Sequence, residues 1–237
     1  MFFDPLYMAV IGVGMVLSLW ASAKTKGTFN KFSQQATRRG LTGAQVAEAI
    51  LRDNGISDVR IEPVAGKLTD HYDPRNKTLR LSEAVYGSRS MAAAGVAAHE
   101  VGHAIQHAHA YGPLKFRSLW VPVASFGSGL SMLIITAAIL LGGAATVLGQ
   151  TAAVIGVALF ATTTLFTLVT LPVEFDASRR ALTSLQRGGY MATDELKGAK
   201  SVLDAAALTY VAAAVSSILT LLYFAFRLGL LGGRRND

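Results

Sequence analysis

A stretch of 56 residues without a charged side chain, residues 118–173, constrains the fold of this chain more than any other feature. Two shorter stretches, residues 5–23 and 205–226, are also free of charge. A helix needs about 20 apolar residues to cross a bilayer, so each stretch is long enough to do so. As a single helix the longest one would measure roughly 84 Å, against a hydrocarbon core of about 30 Å, and we therefore expect it to hold two helices.

The turn between these two helices is predicted from its glycines. Residues 141–151 hold three glycines and the most polar side chains of the long stretch, which is typical of a turn. We therefore expect helices near residues 119–141 and 152–172, and four transmembrane helices in all. The charged residues, at 16% of the chain, agree with a membrane protein, since soluble domains typically carry about a quarter.

Basic residues lie mostly beside the apolar stretches, so membrane topology explains the net charge of +7 and no nucleic-acid partner is expected. Residues 24–39 carry five basic and no acidic side chains, whereas Asp4 is the only charge in residues 1–4. The positive-inside rule then places the N-terminus outside and residue 24 onward in the cytoplasm. A signal peptide ending at Ala23 is the alternative, but signal peptides carry their positive charges before the apolar core.

Residues 24–117 form the main predicted soluble part. Thr42 is positioned to cap a helix that ends near Asp53. A strand over residues 59–64 and a hairpin over residues 67–82 follow. The hairpin provides either an edge strand that an extended substrate can pair with or a small structural sheet, and both interpretations fit the pattern.

A histidine pair with an adjacent glutamate, His99-Glu100-Val101-Gly102-His103, follows in a predicted helix over residues 89–107. Residues four apart share a face of a helix, so both imidazoles can bind one metal ion. Glu100 lies beside that ion and can take a proton from water, which is the HExxH arrangement of zinc metallopeptidases. Because the chain has no cysteine, histidine and carboxylate side chains are the remaining zinc ligands.

A third ligand is expected after the HExxH segment, since catalytic zinc usually has three protein ligands. Glu174 is the preferred candidate because it is the first charged residue after the long apolar stretch. His109 has the spacing of the metzincin pattern, but Gln106 replaces the glycine at which that pattern turns the chain. Asp176 is a further candidate, either as a ligand or as a partner that orients a histidine.

The chain resembles the YugP-type neutral zinc metallopeptidases of bacterial membranes over nearly its whole length. The resemblance rests on LTDHYDP at residues 68–74, GVAAHEVGHAIQ at residues 95–106 and PVEFDAS at residues 172–178. The apolar N-terminus and the paired apolar stretches between the last two motifs also match. Together these features are much more specific than the HExxH segment alone.

The resemblance implies a Zn²⁺ cofactor and a site in the bacterial cell membrane. It implies one catalytic residue, Glu100, and three zinc ligands, His99, His103 and Glu174. The layout is also similar to HtpX-type membrane proteases, in which a helical pair separates the zinc-binding motif from a glutamate ligand. Those proteins usually carry an aspartate four residues after that glutamate, whereas Ser178 stands there in this chain. Asp176 or Ser178 is therefore expected to orient a histidine.

We thus expect a mainly α-helical membrane protein with four transmembrane helices and a small α+β, zincin-like part in the cytoplasm. The expected function is that of a gluzincin-like endopeptidase, in which zinc activates water and Glu100 is the general base. Its expected substrate is a membrane or membrane-associated protein. A non-catalytic, zinc-stabilised membrane scaffold is the main alternative, and it would not need Glu100. A metal transporter would need ionisable residues inside the spans, which the charge-free stretches lack.

The expected organisation has five segments. In chain order they are an N-terminal anchor (1–23), the soluble part with the HExxH helix (24–117), a transmembrane helical pair (118–173), a second soluble segment with the third ligand (174–204), and a C-terminal transmembrane helix and tail (205–237). An even number of spans separates the two soluble segments, so both are expected on the same side of the membrane.

The candidates for stabilising an oxyanion are Tyr72, His71, His107 and Tyr190.

Overall fold

Four long helices make up most of the chain. The computed structural model describes residues 4–231, except the side chain of Ala144. The long helices are α1 (Pro5–Ser33), α5 (Gly112–Leu140), α6 (Val147–Arg187) and α7 (Thr193–Arg227). Each of them is long and apolar enough to cross a membrane, so the expected four candidate spans are confirmed for the described residues.

The remaining elements are short. They are the helices α2 (Gly43–Asp53), α3 (Glu83–Tyr86) and α4 (Met91–Ala108), the strands β1 (Arg60–Val64), β2 (His71–Asp73) and β3 (Thr78–Ser82), and a 3-10 helix (Gly143–Ala145). The protein is therefore mainly helical with one small sheet.

Helix α6 is longer than a membrane span requires. Its 41 residues correspond to about 62 Å at the rise of an α-helix, roughly twice the thickness of the hydrocarbon core. The helix predicted near residues 152–172 and the charged residues after it form one continuous helix, with Pro172 in its interior. Gly189, whose φ is 60°, lies in the turn between α6 and α7. The predicted segment 174–204 thus consists of the end of α6, this turn and the start of α7.

The described chain forms two compact units, of which the first contains the most apolar segments. Its described residues are 4–20, 116–170 and 210–231. Ile135 and Phe224 are buried in its interior, whereas large apolar side chains such as Leu119 and Phe126 are exposed. Extensive exposed apolar surface is what lipid covers on a membrane-spanning helix.

The predicted turn between the paired helices is confirmed. Helix α5 ends at Leu140, and Gly142 follows with a φ of 93°, which favours glycine. Helix α6 then begins at Val147, about one turn earlier than the expected start near residue 152. The predicted turn included Gly149, which instead lies near the start of α6, because an isolated glycine is tolerated within a helix.

The second unit contains residues 21–115 and 171–209 and a core of α2, α4 and the sheet. Helix α2 begins with a capping box. The Thr42 hydroxyl accepts a hydrogen bond from the backbone N–H of Gln45, and the Gln45 side chain accepts one from the backbone N–H of Thr42. The predicted helix start is therefore confirmed.

The three strands are arranged in the order β1-β3-β2. Strand β1 is parallel to β3, and β2 pairs with β3 as the predicted antiparallel hairpin. Leu79 and Leu81 of the central strand are fully buried. The Asp70 carboxylate accepts hydrogen bonds from the backbone N–H and the hydroxyl of Ser82, at 2.7 and 3.0 Å, which fixes the base of the hairpin.

Helix α4 carries the HExxH residues and approaches two neighbouring helices closely. The Ser90 hydroxyl caps its first turn by accepting a hydrogen bond from the backbone N–H of Ala93. A Cβ atom at Gly102 would lie 2.5 Å from the carbonyl oxygen of Ala177 on α6. A Cβ atom at Gly95 would lie 3.2 Å from the Cβ of Ala199 on α7. Gly102 therefore permits a helix contact that a larger side chain would push apart, and Gly95 permits a tight one.

Candidate metal centre

The two HExxH histidines lie one turn apart on the same face of α4. Their rings meet edge to face, with 4.8 Å between the ring centroids. Residues at positions i and i+4 of a helix lie one above the other, so the spacing in the sequence produces this pairing directly. His103 is buried, and His99 is partly buried. Both imidazoles are therefore close enough to act on one ion.

Helix α6 brings Glu174 to this pair from a distant part of the sequence. The Glu174 Oε2 atom lies 3.2 Å from Nε2 of His99 and 3.6 Å from Nε2 of His103. The carboxylate is 2% exposed. In the part of the chain that the structure describes, these three residues form the one group of His, Asp or Glu whose ligand atoms all lie within 4.8 Å of one another.

The spacing of these atoms fits a zinc ion. Zinc binds nitrogen and oxygen ligands at about 2.0–2.2 Å in tetrahedral geometry, so two of its ligands lie roughly 3.3–3.6 Å apart. The distances of 3.2 and 3.6 Å from the carboxylate oxygen to the two imidazoles are close to this range. Two imidazoles and one carboxylate are also a ligand set of catalytic zinc. The residues therefore fit the metal that the sequence predicts.

The other ring nitrogen of each histidine has a separate partner. Nδ1 of His99 lies 3.1 Å from the Ser178 hydroxyl, and Nδ1 of His103 lies 3.0 Å from Oε1 of Gln106. Such partners fix the orientation of a metal-binding imidazole. Burial by itself lowers the pKa of His103, but the hydrogen bond with Glu174 and the charges of Glu100 and Glu174 outweigh it, so this pKa lies above its ordinary value. The surroundings of His103 thus favour a positive charge.

Glu100 is buried beside the histidines, with 8% of its surface exposed. Among residues 4–231 it forms no hydrogen bond or ion pair. In the described residues no completely buried side-chain oxygen lacks a hydrogen-bond partner, so the unpartnered carboxylate oxygens of Glu100 keep some exposed surface. A carboxylate in such a place can accept a proton from a molecule that enters the site, because no neighbouring donor has to be displaced.

The alternative ligands occupy other positions. His109 ends α4, and its Nδ1 lies 3.5 Å from Nη1 of Arg180. Asp176 is bound by Arg179 and Arg180 and accepts a hydrogen bond from Gln106. Neither residue belongs to the group of three described above. Of the two residues expected to orient a histidine, Ser178 contacts His99 itself, and Asp176 contacts the partner of His103.

The candidates for oxyanion stabilisation are dispersed. Tyr190 donates its hydroxyl hydrogen to Asp53 at 2.5 Å. His71 is exposed, and its Nδ1 lies 2.8 Å from the carbonyl oxygen of Thr69. Tyr72 forms a 2.8 Å hydrogen bond with Nδ1 of His107, one turn after His103. Burial, followed by the charges of Asp58 and Asp73, raises the pKa of Tyr72 to about 12, so its hydroxyl keeps its hydrogen at neutral pH.

Gln106 contacts His103, and the sequence pattern did not identify it as part of the site. The sequence marked it as the place where a metzincin would have glycine. Its signal was available, because it is a polar residue three positions after His103 in the same predicted helix. Its partner on α6 is 70 residues away, and one sequence does not reveal such a pair.

Comparisons with known proteins cover nearly the whole chain. The profile of a family described as "Putative neutral zinc metallopeptidase" matches residues 7–229. A Bacillus subtilis (strain 168) protein described as "Putative membrane protease YugP" is 46% identical over 219 residues, which are 92% of this chain and 94% of that protein. No solved structure matches the chain. The similarity and the four apolar helices identify a membrane protein.

Proposed function

Because the chain belongs to the neutral zinc metallopeptidase family, we propose that it is a zinc-dependent endopeptidase of the bacterial cell membrane. The observation that carries this proposal is the convergence of the Nε2 atoms of His99 and His103 on the Oε2 atom of Glu174. Two helices that are distant in sequence supply these atoms, and the three side chains are only 14%, 11% and 3% exposed. Two imidazoles and a carboxylate that meet in this way are a ligand set of catalytic zinc.

His99, His103 and Glu174 would hold the ion and leave a fourth position for water and substrate. When bound, zinc would lower the pKa of a water molecule towards 7 and polarise the carbonyl group of the scissile bond. Ser178 and Gln106 would keep the two imidazoles oriented through their Nδ1 atoms.

We assign the general-base role to Glu100. Its carboxylate would accept a proton from the attacking water as the new C–O bond forms. It would then donate this proton to the amine nitrogen as the C–N bond breaks. The absence of a hydrogen-bond partner among residues 4–231 supports this assignment, since the carboxylate is available to the incoming water.

We further propose that the second unit is a zincin-like catalytic part of the gluzincin type. Supporting observations are the HExxH residues on a buried helix, a small sheet beside it, and a glutamate on a later helix. Gluzincins use two histidines and a glutamate as ligands, as in the His₂Glu site of thermolysin.

The substitution Glu100→Gln tests catalysis separately from metal binding. Glutamine has nearly the same shape but cannot accept a proton at neutral pH. We expect zinc content to remain at the wild-type level and cleavage of casein or of a quenched fluorescent peptide to fall by roughly 10²–10⁴-fold. Both would be measured on one detergent-purified sample.

Glu48→Gln is the matched control, since Glu48 is an exposed residue of α2 and the substitution removes the same negative charge. It should retain both zinc and activity. Cleavage that persists in Glu100→Gln would refute the general-base assignment. A wild-type protein that holds zinc but cleaves none of these substrates would favour the scaffold alternative.

We also propose that the metal centre faces the cytoplasm and acts on membrane or membrane-associated proteins. The five basic residues in the segment 24–39 support the orientation. Glu174 directly follows the charge-free stretch on the same helix, which supports a substrate close to the membrane surface.

Thiol labelling tests the orientation, because the chain contains no cysteine of its own. Lys67→Cys and Ala145→Cys place single thiols at exposed positions, in the soluble part and in the turn after α5. In intact cells a membrane-impermeant maleimide should label Ala145→Cys only, and permeabilised cells should show labelling of both. The opposite pattern in intact cells would reverse the proposed topology.

A further inference from the structure

Gln106 is a fully buried polar side chain between α4 and α6, with 0% of its surface exposed. Its Nε2 atom donates hydrogen bonds to the carbonyl oxygen of Val173 at 2.8 Å and to Oδ2 of Asp176 at 2.9 Å. Its Oε1 atom lies 3.0 Å from Nδ1 of His103. One amide group thus joins a candidate metal ligand to two groups on the opposite helix.

The partners of Gln106 determine which way its amide group points. A backbone carbonyl and a carboxylate can only accept hydrogen bonds, so the NH₂ group must face Val173 and Asp176. Oε1 is then the atom that faces His103, and it can only accept. The hydrogen of the neutral His103 ring must therefore be on Nδ1, which leaves the lone pair of Nε2 free to bind a metal ion.

Asp176 is itself held in place. Arg179 donates to its Oδ1 at 2.8 Å, and Arg180 donates to its Oδ2 at 2.5 Å. The Asp176 side chain is 9% exposed. A carboxylate with two arginine partners has little freedom to rotate, so it anchors the amide group that depends on it.

The two histidines differ in this respect. His99 contacts the Ser178 hydroxyl, which can either donate or accept a hydrogen bond. That contact restrains the His99 ring without selecting one neutral tautomer. The contact between His103 and Gln106 selects the tautomer with its hydrogen on Nδ1.

From this chain of contacts we propose that Gln106, anchored by Asp176, is a positioning residue of the metal centre. It accepts the Nδ1 hydrogen of His103 and thereby directs the Nε2 lone pair towards the ion. This inference rests on the proposed metal centre. It adds that the carboxylate of Asp176, two residues after Glu174, acts on His103 through the amide group of Gln106.

Two substitutions of Gln106 separate positioning from simple packing. Gln106→Met has a similar length but no acceptor for His103, whereas Gln106→Glu keeps an oxygen acceptor and places it near the Asp176 carboxylate and the Val173 carbonyl. We expect Gln106→Met to weaken zinc binding by about 10- to 100-fold, and Gln106→Glu to stay within about fivefold of wild type. Gln106→Glu should nevertheless unfold at a lower temperature than Gln106→Met, because its carboxylate faces two hydrogen-bond acceptors.

The measurements are competition with a zinc chelator, thermal unfolding without metal, and the visible absorption spectrum of the Co²⁺-loaded protein. The spectrum reports ligand geometry and should change in Gln106→Met but not in Gln106→Glu. If Gln106→Glu does not fold, the double variant Gln106→Glu with Asp176→Asn removes the repulsion between the carboxylates and should show the same retained affinity. Ser90→Ala is the control, because it removes the cap of the same helix without touching a histidine.

The outcomes distinguish this inference from the proposed function. The positioning role would be overturned if Gln106→Met had unchanged zinc affinity. It would also be overturned if zinc affinity fell in parallel with unfolding temperature in all the variants, including Ser90→Ala. A wild-type protein that binds zinc but shows no peptidase activity would leave the inference standing. A wild-type protein that binds neither zinc nor cobalt would overturn the metal centre and this inference with it.

Discussion

The substitution Gly102→Ala tests whether the contact between α4 and α6 assembles the metal centre. A Cβ atom at this position would lie 2.5 Å from the carbonyl oxygen of Ala177, and 3.0 and 3.1 Å from its carbonyl carbon and Cα. All three are backbone atoms, so no side-chain rotation can relieve the contact. The oxygen is about 0.9 Å nearer than the 3.4 Å at which ordinary contacts begin, and the two helices must separate by a large part of that difference.

The size of this shift predicts its effects. Ala177 lies one turn after Glu174, and a helix moves largely as a rigid rod, so Glu174 would move away from the histidines. Metal–ligand distances tolerate deviations of about 0.2 Å, several times less than the shift. We expect zinc affinity to fall by at least about tenfold. Overpacking of this kind costs about 1–3 kcal/mol, which for a chain of this size lowers the Tm by roughly 2–4 °C per kcal/mol.

Zinc affinity by chelator competition and Tm without metal are the two measurements. Gly43→Ala is the matched control, since its Cβ would lie 2.3 Å from the carbonyl oxygen of Val85 and it belongs to α2, which supplies no ligand. The control should lower the Tm and leave zinc affinity unchanged. A Gly102→Ala protein with wild-type affinity and wild-type Tm would refute the argument that this close approach positions Glu174.

Three further variants examine the candidate ligands and their partners with the same zinc measurement. Glu174→Ala should abolish tight zinc binding, whereas His109→Ala should retain it. The reason is that Glu174, and not His109, lies within 4.8 Å of the HExxH histidines. Loss of zinc only in His109→Ala would reverse the ligand assignment. Ser178→Ala should weaken zinc binding by about tenfold, since it leaves Nδ1 of His99 without its 3.1 Å partner, and an unchanged affinity would show that His99 is oriented by packing alone.

Features that depend on neighbouring residues were predictable from the sequence. Thr42 and Gln45 are three residues apart, and their reciprocal hydrogen bonds follow from that spacing alone. The hairpin between β2 and β3 follows from alternating residues on either side of a short turn. The four apolar helices follow from length and from the absence of charge. In each case the residues that make the interaction are close together in the chain.

The continuity of α6 was less accessible to such reasoning. The return of charged residues at Glu174 predicted a boundary between a span and a soluble segment, yet the helix contains Pro172 in its interior and continues to Arg187. A proline removes one N–H donor from a helix, but neighbouring helices and side chains can satisfy the carbonyl groups that this leaves. A local breaker therefore did not end an element that tertiary packing supports.

Three side chains that contact a histidine or its partner Gln106 come from five consecutive residues of α6. Glu174 faces the Nε2 atoms, Ser178 contacts Nδ1 of His99, and Asp176 holds the amide bonded to His103. Ala177, whose carbonyl oxygen limits the approach at Gly102, lies within the same segment. One helix contact therefore positions the candidate third ligand and the partners of both imidazoles at once. The HExxH residues supply two candidate ligands by local spacing, but the geometry of the proposed centre depends on how closely α6 can lie against α4.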